Sequence, residues 1–392
     1  MELPLTRALI VAALLATGLT GVAVTGAHRP TVPAAPERVA GDTSPAAGRP
    51  AAPAQATADA EFRLYLPVEL QSGLLGGDVT LRRGARVRGE LGLVEAVIGG
   101  RDVVYAIDWY DRLQVFDVAD PERPTAGATI ADLTEGGPYY GQVVGDRLYV
   151  TGWDLVVLDV ADPRAPAVVG RVPRLRGDIA VAAGRAYVAY DREVTIVDVA
   201  DPSAPRKIGA FPMPQQWDFV NYVEARGNVV YAACNTGLFV LDAGDPAHVR
   251  QIAQLRFGTG LRPLVLDGDR LYVGTGGDRF DLVTVDVSDP ASPRVVATAR
   301  LLGEGTLRAV HDGLLFVSYY HDPAPDEPEL MGGLSIWDIR GAIPRETGRL
   351  VPTVYDPFGL PLAGIGDHAY IPAPLDGEQR GGIDAFRIVR RR

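Results

Sequence analysis

At 392 residues with a formal net charge of −11, the chain is long enough for a repeat array and lacks the basic surplus that a nucleic-acid backbone selects. Cys234 is the single cysteine, which excludes an intramolecular disulfide and leaves stability to packing.

Arg7 precedes an apolar run from Ala8 to Val24, followed by the small residues Thr25, Gly26 and Ala27. This is the layout of an export signal. The run also approaches the roughly 20 residues that span a bilayer, so an uncleaved membrane anchor is the alternative for residues 1–27. Either way the remainder is expected to be extracytoplasmic, secreted or held at the cell surface. Residues 28–60 are rich in Pro and Ala and have no apolar periodicity, the composition of an extended linker that buries no core. Residues 61–392 read as one folded domain.

That domain is built from repeats. An aromatic residue recurs in a second strand at Tyr105, Tyr149, Tyr187, Tyr231, Tyr272, Phe316 and Tyr370. An aspartate follows a third apolar run at Asp117, Asp159, Asp198, Asp242, Asp286, Asp338 and, in a degenerate last copy, Asp384. The spacings of 39 to 52 residues between these aspartates fit the period of four-stranded propeller blades. Each unit holds short Val-, Leu-, Ile- and Tyr-rich strands separated by Gly, Asp and Pro turns, the pattern of an antiparallel meander. Third-strand runs such as VTIVDV are apolar on both faces and are therefore expected between neighbouring sheets.

The third-strand runs QVFDVADP, VVLDVADP, VTIVDVADP, LFVLDAGDP and LVTVDVSDP resemble those of the LVIVD-repeat family, exported bacterial propeller-like proteins. The resemblance covers about residues 77–392 and weakens in the sixth and seventh units. It implies a propeller fold and an extracytoplasmic setting, and it carries over no catalytic residue. The expected fold is all-β, a seven-bladed β-propeller. The opening segment GDVTLRRGARV matches a fourth strand and the last unit lacks one, so pairing the termini would close the ring.

Recurrence in register makes the Asp-x-x-Asp-Pro turns structural: Asp caps the turn and Pro fixes φ. Calcium binding at these turns, or by the acidic loop 321–333, is the weaker alternative. Cys234, at a strand end, reads as a buried filler. His311 and His368 lie in turns of neighbouring units, where they could approach Asp312 and Asp367, while His321 stands apart from them. Solvated turn residues are the reading for these histidines, with no metal and no cofactor assigned.

Loops joining the fourth strand to the next first strand, and the second to the third, share one face and vary most between copies. Candidate ligand- or partner-binding residues there are Tyr139, Tyr140, Arg176, Asp178, Trp217, Asp218, Asn221, Tyr222, Arg262, Arg308, Tyr355, Asp356 and Phe358. Aromatic rings beside Arg, Asp and Asn suit a sugar, peptide or carboxylated ligand. The expected function is a non-enzymatic exported binding or scaffold module, presenting this face to an envelope or extracellular protein or glycan. Membrane contact is expected only through an uncleaved N-terminal segment. The alternatives are a polysaccharide- or peptide-directed hydrolase or lyase using Asp178, Asp218 and Asp356 as acid and base, and a self-assembling surface-layer component.

Overall fold

The computed structural model describes residues 78–134, 136–137, 139–276, 280–301, 304–321, 331–350, 361–373 and 380–390, all within the unit Leu64–Arg392. The segments 1–27 and 28–60, the interior of the acidic loop, and Tyr355, Asp356 and Phe358 lie outside these residues. Among the described residues no helix is long and apolar enough to cross a membrane.

Seven four-stranded antiparallel sheets form the fold. First strands are β2 (Val94–Gly99), β6 (Tyr140–Val144), β10 (Asp178–Ala182), β14 (Val220–Arg226), β18 (Leu261–Asp267), β22 (Glu304–His311) and β26 (Ala363–Ile365). Second strands are β3 (Val103–Asp108), β7 (Arg147–Thr151), β11 (Arg185–Tyr190), β15 (Val229–Cys234), β19 (Arg270–Thr275), β23 (Leu314–His321) and β27 (His368–Ala373). Third strands are β4 (Leu113–Asp117), β8 (Leu155–Asp159), β12 (Glu193–Asp198), β16 (Gly237–Asp242), β20 (Asp281–Asp286), β24 (Met331–Asp338) and β28 (Gly382–Arg390). Fourth strands are β5 (Thr125–Ile130), β9 (Ala167–Val172), β13 (Arg206–Pro212), β17 (Arg250–Arg256), β21 (Arg294–Arg300), β25 (Arg345–Leu350) and, for the last blade, β1 (Val79–Arg88).

The first strands contact one another in the cycle β2, β6, β10, β14, β18, β22, β26 and back to β2, so they line the axis of a closed ring. Hydrophobic side chains gather into seven clusters, each at the seam between two adjacent blades. Third strands such as Leu155–Asp159 are buried up to the terminal aspartate, because a neighbouring sheet covers each face. Five of the repeated aromatics, Tyr105, Tyr187, Tyr231, Tyr272 and Tyr370, are the largest fully buried side chains, and the Tyr105 hydroxyl crosses a seam to donate to the Pro163 carbonyl at 3.1 Å.

The Asp-x-x-Asp-Pro turns serve the same seams. Asp198 accepts the Ala200 N–H at 3.2 Å and Asp201 that of Ser203 at 2.9 Å, two caps that recur at the corresponding residues of other blades. The first aspartate then pairs across the hairpin with an arginine, as in Asp198–Arg206, Asp242–Arg250 and Asp286–Arg294. The turn's proline carbonyl packs on the fourth strand of the preceding blade. A Cβ on Gly170 would stand 2.1 Å from the Pro202 oxygen, and one on Gly209 would stand 1.9 Å from that of Pro246. Only glycine fits at these close approaches.

The termini pair as expected, with β1 lying antiparallel against β28 as the outermost strand of the last blade. Arg83 and Arg86 converge on the buried Asp384 carboxylate at 3.0 and 2.5 Å. The alignment of Asp384 with the repeated aspartates is corrected by register. In the other blades the aspartate lies two residues beyond the partner of the aromatic, as for Tyr187, Ile196 and Asp198. Tyr370 pairs with Ala385, so the equivalent position is Arg387. No third-to-fourth turn exists in this blade for an aspartate to cap; Asp384 instead binds the closing strand.

Replacing Asp384 with Ala is expected to cost roughly 2 kcal/mol, since it strands two half-buried guanidinium groups at the closure. A lower urea midpoint would register that loss, and an unchanged one would show that closure does not depend on the ion pairs.

Candidate functional site

The first strands place the polar candidates around the axis, and four of them do so through irregular pairing. Register shifts leave Glu95, Asn221, the pair Arg262–Pro263, and Arg308 out of step with their second strands. A bulge re-aims the side chain it carries. Glu95 was not among the sequence candidates, and it lies in the same kind of irregularity as three that were. Arg308 donates from Nε to the Ser318 hydroxyl at 2.7 Å, and a Cβ on Gly274 would come within 2.9 Å of the Arg262 side chain.

Tyr140, Asp178, Tyr222, Arg308 and Glu95 come from five different first strands and interact electrostatically around Tyr140, whose hydroxyl pKa is raised chiefly by burial. Three acceptors here join adjacent blades. Gln142 accepts the Val181 N–H at 2.7 Å, Asp178 accepts that of Val223 at 2.8 Å, and Glu224 accepts that of Leu266. Asp178 and Glu224 are half-buried and closely surrounded by protein. Burial pushes the Asp178 carboxyl up to about 7, against the lowering effect of the Val223 and Ile179 N–H groups. Burial and then the nearby Asp178 push Glu224 up to about 8. Glu95 is pushed up to about 7 by burial and by Asp108.

Other candidates are drawn away from the axis. Tyr139 is buried in the seam between the first two blades, and its hydroxyl donates to Asp111 at 3.2 Å. Asp218 is fully buried, accepts a hydrogen bond from Thr236, and neighbours Cys234. Cys234 is itself buried, which pushes its thiol pKa well up and suits a packing role. On the opposite face His311 reaches the Gly366 carbonyl, while Asp312 and Asp367 are paired with Arg390 and Arg387. Among the described residues no group of three or more His, Cys, Asp or Glu side chains is placed to hold a metal.

The loop face carries a second layer that the sequence candidates captured only in part. Among the described residues the exposed aromatics are Trp109, Tyr110, Trp153, Tyr190, Trp217 and Phe219. All six stand in or beside second-to-third or fourth-to-first connections of the first four blades, hence on one face. Tyr110 and Trp217 are the most open, at 66% and 63%. Arg176 lies between two rings, 4.3 Å from the centre of Trp153 and 4.2 Å from that of Tyr190, and donates to the Tyr190 hydroxyl. The loops are held from behind by inward-turned carboxylates. Asp108 accepts from Gly92 and Arg112, Asp111 from Thr134, and Asp154 from Arg171 and the Arg174 N–H. Asp111, Arg174 and Asp191 adopt left-handed φ of 64°, 55° and 55° at these loop tips. Aspartate tolerates that region better than most side chains.

The blade-joining carboxyls generate a pH dependence. Between their ordinary range and about 7 to 8 the folded chain binds more protons at Asp178 and Glu224 than the unfolded chain does, so stability falls as pH rises through that window. The urea midpoint is expected to drop between pH 5 and pH 9 and to drop less than half as far in Asp178→Asn/Glu224→Gln. An identical decline in the variant would remove these groups as its source.

The comparisons with known proteins agree with this architecture. The LVIVD repeat matches residues 142–173, 176–211 and 262–299. No curated protein sequence matches the chain. Among solved structures, the β-propeller domain of Cps50 (Swd1) from Myceliophteria thermophila is similar at a TM-score of 0.54 and 15% identity, covering 78% of this chain and 98% of that one. A chain of the mitotic checkpoint complex gives 0.53 at 14% identity, covering 79% and 90%. The computationally designed Ika8 protein gives 0.50 at 11% identity, covering 78% and 99%. At such identities the likeness concerns the fold alone. The chain carries LVIVD repeats, built into a seven-bladed β-propeller.

Proposed function

We propose that the chain is a non-enzymatic binding module that works outside the cytoplasm, with the ring as a rigid scaffold and the aromatic loop face as the surface that meets its partner. One observation carries this reading: all six exposed aromatic side chains of the described residues stand on one face. Exposed rings scattered singly need no explanation, but their confinement to one set of loops does. Buried hydrogen bonds hold those loops in shape, which lowers the ordering cost of binding. The apolar run Ala8–Val24 and the Pro/Ala-rich stretch that follows support export. The partner class is an envelope or extracellular glycan or protein.

The hydrolase alternative needs an ionised base opposite a protonated acid. Asp178 is instead coupled to Glu224, whose pKa is raised as well, and both are engaged in joining blades. Asp218 is turned to Thr236. These placements favour binding over turnover.

The full chain should be retained by an envelope or extracellular fraction, with retention at least tenfold lower for the triple variant Tyr110→Ala/Trp153→Ala/Trp217→Ala at an unchanged melting temperature. Equal retention of the two proteins on every fraction would remove this face as the binding surface.

A further inference from the structure

The seam between the second and third blades on the loop face is flanked by arginines that no carboxylate pairs among the described residues. Three guanidinium groups come from its loops, those of Arg174, Arg176 and Arg192. Arg176 is engaged by the Trp153 and Tyr190 rings and the Tyr190 hydroxyl, and Arg192 reaches only the Gln215 carbonyl, at 3.4 Å. None of the three forms an ion pair among the described residues. Many arginines elsewhere are committed to carboxylates, as in Arg112–Asp108, Arg171–Asp154 and Arg206–Asp198, while Arg185 and Arg270, on the opposite face, donate to uncharged acceptors. The acids nearby do not restore the balance. Asp154 is turned inward to Arg171, which leaves Asp191 and Glu193 at the turn against three cations. A local positive surplus on a chain of net charge −11 calls for an anion.

The rings define the class of anion. The Arg176 guanidinium carbon lies close to both the Trp153 and Tyr190 rings, and an arginine held by rings keeps N–H groups for bidentate contact with a carboxylate. Trp153 and Tyr190 flank Arg176 and are still 45% and 44% exposed, and Trp217 stands open in the next loop. Flat rings suit the C–H faces of sugar rings.

Resting on the binding reading given above, we propose that this seam binds a carboxylate-bearing polysaccharide of the uronate class, with Arg176 taking a sugar carboxylate and Trp153 and Tyr190 stacking on the flanking sugar rings. Arg174 and Arg192 add attraction along the strand, and Trp217 extends the track toward the fourth blade.

Calorimetric titration of the full chain with oligogalacturonate and oligomannuronate, each compared with its methyl ester, tests the assignment. A free acid should bind at least tenfold more tightly than its ester, with the preference shrinking at high salt. Arg176→Ala should lose about tenfold for the acid and little for the ester. Arg176→Lys, which keeps the charge without the planar fork, should fall between the two. Trp153→Ala should weaken both forms, and melting temperatures confirm that each variant is folded. Equal affinity for acid and ester, or an Arg176→Ala variant that binds the acid as the parent does, overturns the proposal. Binding of the esters that depends on Trp153 would leave the face as a binding surface while refuting the role of charge. Binding of a polyglutamate peptide through Arg176, with no uronate bound, would reassign the seam to an acidic peptide and overturn the polysaccharide.

Discussion

A ring of sheets is stable only when its last sheet is complete, because each blade buries one face against the next and an incomplete blade would leave a seam open. Here completion depends on β1 pairing with β28, a contact between the two ends of the domain. The Arg83 and Arg86 contacts to Asp384 fix that pairing at its one irregular stretch, where the register shifts between Arg83 and Arg86. No central core exists to compensate for its loss. The seven hydrophobic clusters are wedges between blades, and two of them, on either side of the last blade, require that blade to be in place.

Given that ring, the periphery repeats while the axis varies. Caps by paired aspartates, proline carbonyls seated on glycines of the preceding blade, and aromatics buried at the seams solve one packing problem several times over. These positions are constrained by a neighbour on each side. The register shift between third and fourth strands recurs in six blades. The first strands face the axis and are relieved of part of that constraint, so only four carry a shift and charged residues stand among them. Gln142, Asp178 and Glu224 each accept an N–H from the next blade, yet only the latter two titrate. One mechanical task is thus met with a neutral side chain at one seam and with acids at the next two.

Much of the fold was legible in the sequence because its signals are local. Alternation, Gly turns and Asp-Pro pairs repeat within a few residues, and the unmatched strands at the two ends predicted the closure. The Asp384 alignment failed because it rested on residue type, whereas the actual equivalence of Arg387 is a matter of strand register. The candidate site was only partly legible. Asn221, Arg262 and Arg308 stood out as breaks in the repeat, but Glu95 lies in a bulge that no composition signal marks. Trp109, Tyr110 and Trp153 were passed over because a ring in a turn becomes informative only once the neighbouring blade is seen to leave it uncovered. Tyr139 and Asp218 read as site residues in sequence, and packing turns both inward.

The direction of β1 gives the ring a polarity. The strand leads at Arg88 into the connection to β2, which belongs to the aromatic face, so its beginning lies at the opposite face. Asp78 pairs there with Arg345, at the start of β25, and Arg390 at the other end of the domain pairs with Asp312 in a first-to-second turn of that same face. The two ends of the described ring, Asp78 and Arg390, therefore both lie on the side away from the exposed rings. Asp78 and Arg390 thus mark the back of the ring, and the exposed rings mark its front.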